Sequence, residues 1–234
     1  MLTDFHSHIL PGVDDGSKSV EQSLEMLRME AAQGIRRVIA TPHFYPRHDS
    51  PERFLRRRAE ALNRLQEAME IEEGLPQIEL AAEIYFFSGI SDSEVLSQLT
   101  IGQKRCILLE MPHSPWTDSM YRELEGICVK QGLTPVIAHV DRYIRPFKSY
   151  GIPERLKELP VLVQANAEFF LSGSTRRMAL RMLKKGQLHV LGSDCHNLKD
   201  RKPNLGDAVR LIQERLGPEH LDWIRTHEQE ILCE

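Results

Sequence analysis

Asp4-Phe5-His6-Ser7-His8 sets two imidazoles two residues apart at the end of a short apolar run, and Asp14-Asp15-Gly16 follows in the next loop. Further along stand Thr41-Pro42-His43, Ala82-Glu83, Leu109-Glu110, Ala138-His139 and Ser193-Asp194-Cys195-His196. His6, His8, Asp15, His43, Glu83, Glu110, His139, Asp194 and His196 together offer imidazoles and carboxylates without thiolate, a donor set that suits manganese, iron or zinc. A structural zinc takes about four ligands and octahedral manganese about six, so the set is too large for one ion. Two or three divalent ions sharing bridging carboxylates would use it. Such ions lower the pKa of a bridging water, so that hydroxide is available near neutral pH, and they offset charge on a phosphate in the in-line transition state. Each piece alone is weak: Asp14 and Asp15 suit a turn with Gly16, and a strand-end histidine is often satisfied by an ordinary hydrogen bond. Glu83 and Glu110 each follow a buried apolar run, where an unpaired charge is costly.

Those residues need elements that bring them to one place. Short apolar, β-branched runs predict strands at Leu2–His6, Arg37–Thr41, Ile78–Glu83, Cys106–Glu110, Thr134–Ala138, Val161–Ala165 and Leu188–Gly192. Between them lie helical segments. Ser19 to Gln33 carries an S-x-x-Q capping box (Ser19, Gln22) and Gly34 as a stop. Ser50-Pro51 opens a long charged helix to about Glu73. Others are expected at Ser119–Gln131, Ile152–Leu159, Ser174–Lys185 and Leu205–Leu216, with a closing helix from Pro218. The β/α alternation suits a barrel or a doubly wound sheet. Six of the seven strands end in or run into a residue able to bind a metal. In a β/α barrel those ends converge on one mouth, whereas an open sheet would string them along an edge. The expected fold is therefore a distorted seven-stranded barrel of the (β/α)7, TIM-like kind, in one domain over residues 1–234.

Composition narrows the function classes. Hydrophobic residues make up 41% and charged residues 27%, as in an ordinary folded chain, and the net charge of −4 with no long basic run argues against nucleic acid as partner. Arg56-Arg57-Arg58 reads as the solvated face of a helix. No apolar stretch approaches membrane-spanning length and no leader-like segment precedes the first strand, so a cytoplasmic protein without membrane insertion is expected. Cys106, Cys128, Cys195 and Cys233 show no CxxC spacing and are read as free thiols. His48, His113, His189, His220 and His227 lack the strand-end placement and are read as structural or surface residues, His113, in the loop after the fourth strand, being the one candidate among them to lie near the mouth.

The opening DFHSHILPGVDDGS, then Thr41-Pro42-His43, Ala82-Glu83-Ile84-Tyr85, His139-Val140-Asp141-Arg142-Tyr143 and Ser193-Asp194-Cys195-His196-Asn197 resemble the polymerase and histidinol phosphatase (PHP) superfamily. Within it the motifs are most similar to the bacterial manganese-dependent tyrosine-protein phosphatases of capsule and exopolysaccharide loci, in the same order along essentially the whole chain. The resemblance implies a PHP fold with a three-metal centre. It also implies a phosphotyrosine protein as substrate, namely the tyrosine-rich tail of an autophosphorylating kinase of polysaccharide assembly. It gives Arg142 and Arg201 the task of holding the phosphate, which suits the fixed fork of a guanidinium. Asp141 stands where glutamate is expected and Cys195 where methionine or alanine is more usual. Phe44, Tyr45 and Trp116 are candidates to wall a slot for an aromatic ring.

Cys195 to Arg201 also satisfies C-x5-R, the spacing of cysteine-dependent tyrosine phosphatases. Their loop needs small residues to turn backbone N–H groups onto the phosphate, whereas here the five are His, Asn, Leu, Lys and Asp, so the match reads as chance. Other readings are a small-molecule phosphatase of the histidinol-phosphate type, a nuclease, or a metal-stabilised regulatory protein without catalysis.

Overall fold

The computed structural model describes residues 2–102, 105–144 and 151–232. Cys233 lies outside the described residues. The strand segments are β1 (Leu2–Ser7), β2 (Ile35–Ala40), β3 (His43–Phe44), β4 (Gln77–Leu80), β5 (Glu83–Tyr85), β6 (Cys106–Glu110), β7 (Thr134–Ile137), β8 (Leu162–Asn166) and β9 (Val190–Gly192). The helices are α1 (Val20–Ala32), α2 (Pro51–Met69), α3 (Asp118–Gln131), α4 (Ile152–Leu156), α5 (Ala167–Leu171), α6 (Arg176–Lys184), α7 (Leu205–Leu216) and α8 (Pro218–Leu232).

The named strand pairs are all parallel, in the orders β1-β2-β4 and β3-β5-β6-β7-β8-β9. These two sheets are one. Thr41-Pro42 interrupts a single strand between β2 and β3, and Ala81-Ala82 does the same between β4 and β5. Across the gap Ala81 N–H donates to Ala40 O and Glu83 N–H to Pro42 O, so the pairing continues. Pro42 has no N–H to offer the ladder, which is why the strand breaks there. On the far side Asp194 N–H donates to His6 O and His8 N–H to Cys195 O, bringing β9 back to β1. Seven strands thus close a barrel, as expected from the placement of the candidate ligands at the strand ends.

Two cores result. Phe5, Ile39, Leu108, Val136, Ala138 and Val190 come from five different strands and meet one another, which places them inside the barrel, with Ile231 of α8 against them. The opposite faces of the strands (Val38, Ile107, Leu109, Ile137, Val163, Leu191) pack on the helices. One register slip matters for the site. Asp4 opposes Val38 and Ser7 opposes Ala40, so three steps along β1 match two along β2. This bulge lets Phe5 join the interior while Asp4 faces Glu30 of α1 and His6 still reaches the mouth.

Several local expectations are refined. Ser19 caps α1 by accepting from Gln22 N–H, but Gln22 Oε1 accepts from Lys18 N–H, one residue further back than a capping box requires. The short α5, directly after β8, was not anticipated. Arg58 is not part of a solvated face. It is buried and donates to Ala81 O at 2.6 Å and Gln98 O at 3.1 Å, tying α2 to the chain break between β4 and β5.

Candidate metal centre

The strand ends deliver the proposed ligands to one mouth. His6 and His8 come from β1 and the residue beyond it, His43 from β3, Glu83 from β5, Glu110 from β6, His139 after β7, and Asp194 and His196 after β9. Four ligand atoms of His8, Asp15, His43 and His196 lie within 4.8 Å of one another, as do those of His6, His8 and Asp194, and those of His43, Glu83 and Glu110. His139 Nε2 completes the last group, 2.7 Å from Glu83 Oε1 and 3.7 Å from Glu110 Oε1. All nine residues are therefore together. His8 and His43 each belong to two of the groups. Asp15 is the exposed member, at the tip of its loop.

Neighbouring residues hold this cluster. Asp14 Oδ2 lies 2.7 Å from His8 Nδ1 and accepts from His43 N–H, so it orients His8 from the side away from the mouth. Gly16 is packed so closely that a Cβ there would meet His8 O at 2.3 Å. Gln164 Oε1 sits 3.2 Å from His6 Nδ1 and accepts from His139 N–H at 2.6 Å, while its amide nitrogen donates to Asn166 Oδ1. Asn166 in turn donates to Asp194 Oδ2. Asp4 accepts from His6 N–H and from both the backbone and the hydroxyl of Ser193, stitching β1 to β9. Orientation from behind in this manner fixes ring tautomer and direction. Gln164, Asn166, Asp4 and Ser193 were missed from the sequence. Polar residues on buried strands are the available signal, and β8 is the strand that ends in no candidate ligand. His139 and Asp194 both have positive φ, 28° and 54°, a conformation that side chains rarely adopt and that clusters at functional sites.

The electrostatics follow from burial and close packing of unlike groups. Burial pushes Glu83 and Asp194 up, yet the imidazoles around them win. His6, His139 and His43 hold Glu83 well below the carboxylate range, and His6, His8 and Arg142 do the same for Asp194. Glu110 lies at the rim of that field, and burial with the Glu83 charge raises it to about 7. Burial lowers His139 to about 4 and, with the neighbouring His8 charge, His196 to about 3.

The residues fit divalent ions. Buried Glu110 Oε2, His139 Nδ1 and His196 Nε2 lack a hydrogen-bond partner among the described residues, and His43 Nδ1 and Glu83 Oε2 meet as an ion pair at 2.9 Å without hydrogen-bond geometry. His6 Nε2 and His8 Nε2 stand 3.1 Å apart, an approach of two lone pairs that needs a proton or a cation between them. Unpaired buried polar atoms of this number are rare in native proteins and cost about 1–3 kcal/mol each.

Arg142 and Arg201 reach the same point from two loops. Arg142 Nη2 contacts Asp194 Oδ2, and Arg201 Nη2 lies 2.6 Å from Asp194 Oδ1. Both guanidinium groups remain partly exposed, facing the mouth. The thiol of Cys195 points elsewhere. It is fully buried with its Sγ 4.0 Å from Glu30 Oε1, and burial with the Glu30 and Asp4 charges raises its pKa well above the ordinary range. A buried, protonated thiol is no nucleophile, so the C-x5-R spacing is indeed fortuitous. Of the aromatic candidates, Phe44 and Trp116 are buried packing residues, Phe44 against Phe54 and Trp116 against Tyr143. Tyr45 alone stands at the mouth, joined by Tyr85. His113 is exposed and its ring lies 5.9 Å from that of Tyr143.

Known proteins agree with this architecture. The chain is 30% identical to the tyrosine-protein phosphatase YwqE of Bacillus subtilis, over 99% of this chain and 91% of that protein. It is 29% identical to the tyrosine-protein phosphatase CpsB of Streptococcus agalactiae serotype III, over 93% and 92%. The fold matches a crystal structure from the study of YwqE and Streptococcus pneumoniae CpsB, described as unique metal-dependent tyrosine phosphatases, with a TM-score of 0.83 and 24% identity over 99% of this chain and 94% of that one. Residues 2–233 match the model of capsular polysaccharide synthesis proteins CpsB/CapC, and with the barrel and its ligand-bearing mouth in place the chain belongs to that family.

Proposed function

We propose that this protein is a metal-dependent phosphatase that hydrolyses phosphotyrosine in a protein substrate and serves capsule or exopolysaccharide synthesis. The observation that carries the reading is a cluster of nine imidazole and carboxylate side chains with buried atoms lacking hydrogen bonds, overlooked by two arginines on one carboxylate. The relatives named as tyrosine-protein phosphatases support the substrate class.

His6, His8, Asp15, His43, Glu83, Glu110, His139, Asp194 and His196 would hold two or three divalent ions, manganese first, with iron or zinc as alternatives. Bound there, such ions would acidify a water and offset charge on the phosphate oxygens. Arg142 and Arg201 would turn from Asp194 to the phosphate oxygens, each donating through its planar fork. The phenol that departs has a pKa of about 10 and needs less protonation than an alkyl alcohol. The partner we assign is an autophosphorylating tyrosine kinase of polysaccharide assembly, met in the cytoplasm, with residues 1–234 acting as one domain. Among the described residues no helix is long and apolar enough to cross a membrane.

The test compares turnover of p-nitrophenyl phosphate, a phosphotyrosine peptide and histidinol phosphate, with chelator, added manganese and a thiol alkylator. Expected are preference for the peptide, loss with chelator, return with manganese and indifference to alkylation. Preference for histidinol phosphate would replace the substrate class, and activity that survives chelation but not alkylation would replace the mechanism.

A further inference from the structure

One step above the ligands, the same strands carry a second layer of side chains. β3 and β5 pair with His43 opposite Glu83 and Phe44 opposite Ile84. Side chains two apart on a strand share a face. Tyr45 and Tyr85 therefore rise directly beyond His43 and Glu83, and Pro112 follows Glu110 by the same interval. The rings bear this out. Tyr45 lies 5.1 Å from the His43 ring and 5.6 Å from Tyr85, centroid to centroid.

Beside them runs a groove of about 490 Å³ lined by Tyr45, Tyr85, Phe86, Phe87, Pro112 and Met120 among others. Tyr45 also borders the cavity lined by Asp15 and His43, so the groove lies beside the metal centre with Tyr45 common to both. Tyr45, Tyr85 and Phe87 are all half-buried and line the groove, so part of each side chain is exposed to it. Neither tyrosine hydroxyl is hydrogen-bonded among the described residues, so neither ring is tied down by its polar end. Of the other aromatic candidates, Phe44 and Trp116 are committed to the core.

We propose that Tyr45 and Tyr85, backed by Phe87 and Pro112, form the slot that receives the phenyl ring of the substrate, and that this shelf selects aryl over alkyl phosphates. The proposal rests on the phosphotyrosine reading and adds to it the residues that make the choice. The ions and arginines recognise phosphate whatever its ester, so they cannot discriminate. An aromatic ring beside the phosphate would lie in offset or tilted contact with the two tyrosines, while a short alkyl group would leave the groove filled with water.

The test measures binding of phenylphosphonate and methylphosphonate to the manganese-loaded protein by calorimetry, with inorganic phosphate as reference. In the unaltered protein phenylphosphonate should bind roughly tenfold tighter than methylphosphonate. Tyr45→Ala and Tyr85→Ala should each reduce that ratio severalfold, and together bring it near unity, with phosphate affinity unchanged. Tyr45→Phe and Tyr85→Phe should keep it. A ratio that survives both alanine changes, or that is near unity from the start, overturns the proposal; if the double variant does not fold, the single ones decide. Phosphonate binding needs no turnover. Failure here therefore leaves phosphotyrosine hydrolysis standing, whereas failure of that reading shows as absent turnover of the phosphotyrosine peptide.

Discussion

Gln164 is a buried amide that serves two proposed ligands at once, its Oε1 lying 3.2 Å from His6 Nδ1 and accepting from the backbone of His139. Its partner Asn166 passes the same support on to Asp194. Gln164→Ala should lower affinity for manganese by roughly 10–100-fold, the usual size of an effect behind a ligand, with a smaller loss of thermal stability. Calorimetric titration of the metal-free protein would measure it. An unchanged affinity would mean that the ligands are oriented without the amide. Cys195 gives the opposite expectation. Its thiol packs beside Asp4, Glu30 and the Ser193 side chain, on the side of the strand end away from the mouth, so Cys195→Ala should keep activity and cost about 1 kcal/mol of stability. Turnover of a phosphotyrosine peptide beside a urea melt separates the two effects.

At the scale of elements, the mouth depends on how β9 sits against β1. Gly192 ends β9, and a Cβ there would fall 2.5 Å from His6 Cβ, 2.9 Å from His6 N and 2.9 Å from Gln164 Nε2. All three neighbours belong to residues that shape the site, and the backbone of His6 cannot retreat without breaking Asp194 N–H to His6 O. Gly192→Ala should destabilise by roughly 1–3 kcal/mol and leave the protein short of bound metal. Gly173→Ala is the control, because a Cβ at that loop position meets nothing within 4 Å. Urea unfolding and metal content by emission spectroscopy would check the pair. Helix and strand order along the chain was legible beforehand, because caps such as Ser19, Ser50-Pro51 and the glycine stops act over a few residues. The breaks at Thr41-Pro42 and Ala81-Ala82 and the bulge in β1 were not, since each is a matter of how one strand registers on its neighbour.

Over the whole molecule, α8 runs beneath the barrel and buries Glu228, a carboxyl that burial raises to about 8 despite Arg225 nearby. With an unfolded value near 4.3, the folded state binds the extra proton between about pH 4 and 8. Stability from this group is therefore full below that window and declines as pH rises through it. Glu228→Gln should add about 1 kcal/mol near pH 5 and on the order of 4–5 kcal/mol at pH 8.5, read from thermal melts at the two pH values. A shift no larger at pH 8.5 than at pH 5 would remove the protonation argument. The sequence by itself determined the donor chemistry, the β/α alternation and, through motifs in unchanged order, the family, because ligand type and local periodicity are carried by residues and their near neighbours. It could also say that ligands at successive strand ends converge if the sheet closes. Only the tertiary structure decided that it does close, that Gln164 and Asn166 of the one strand without a ligand brace the others, and that Cys195 faces the core. It also decided that Tyr45 meets Tyr85 rather than Phe44 or Trp116. Each of these is a contact between residues far apart in the chain, and register, bulges and packing, which no local pattern encodes, settle which way such side chains point.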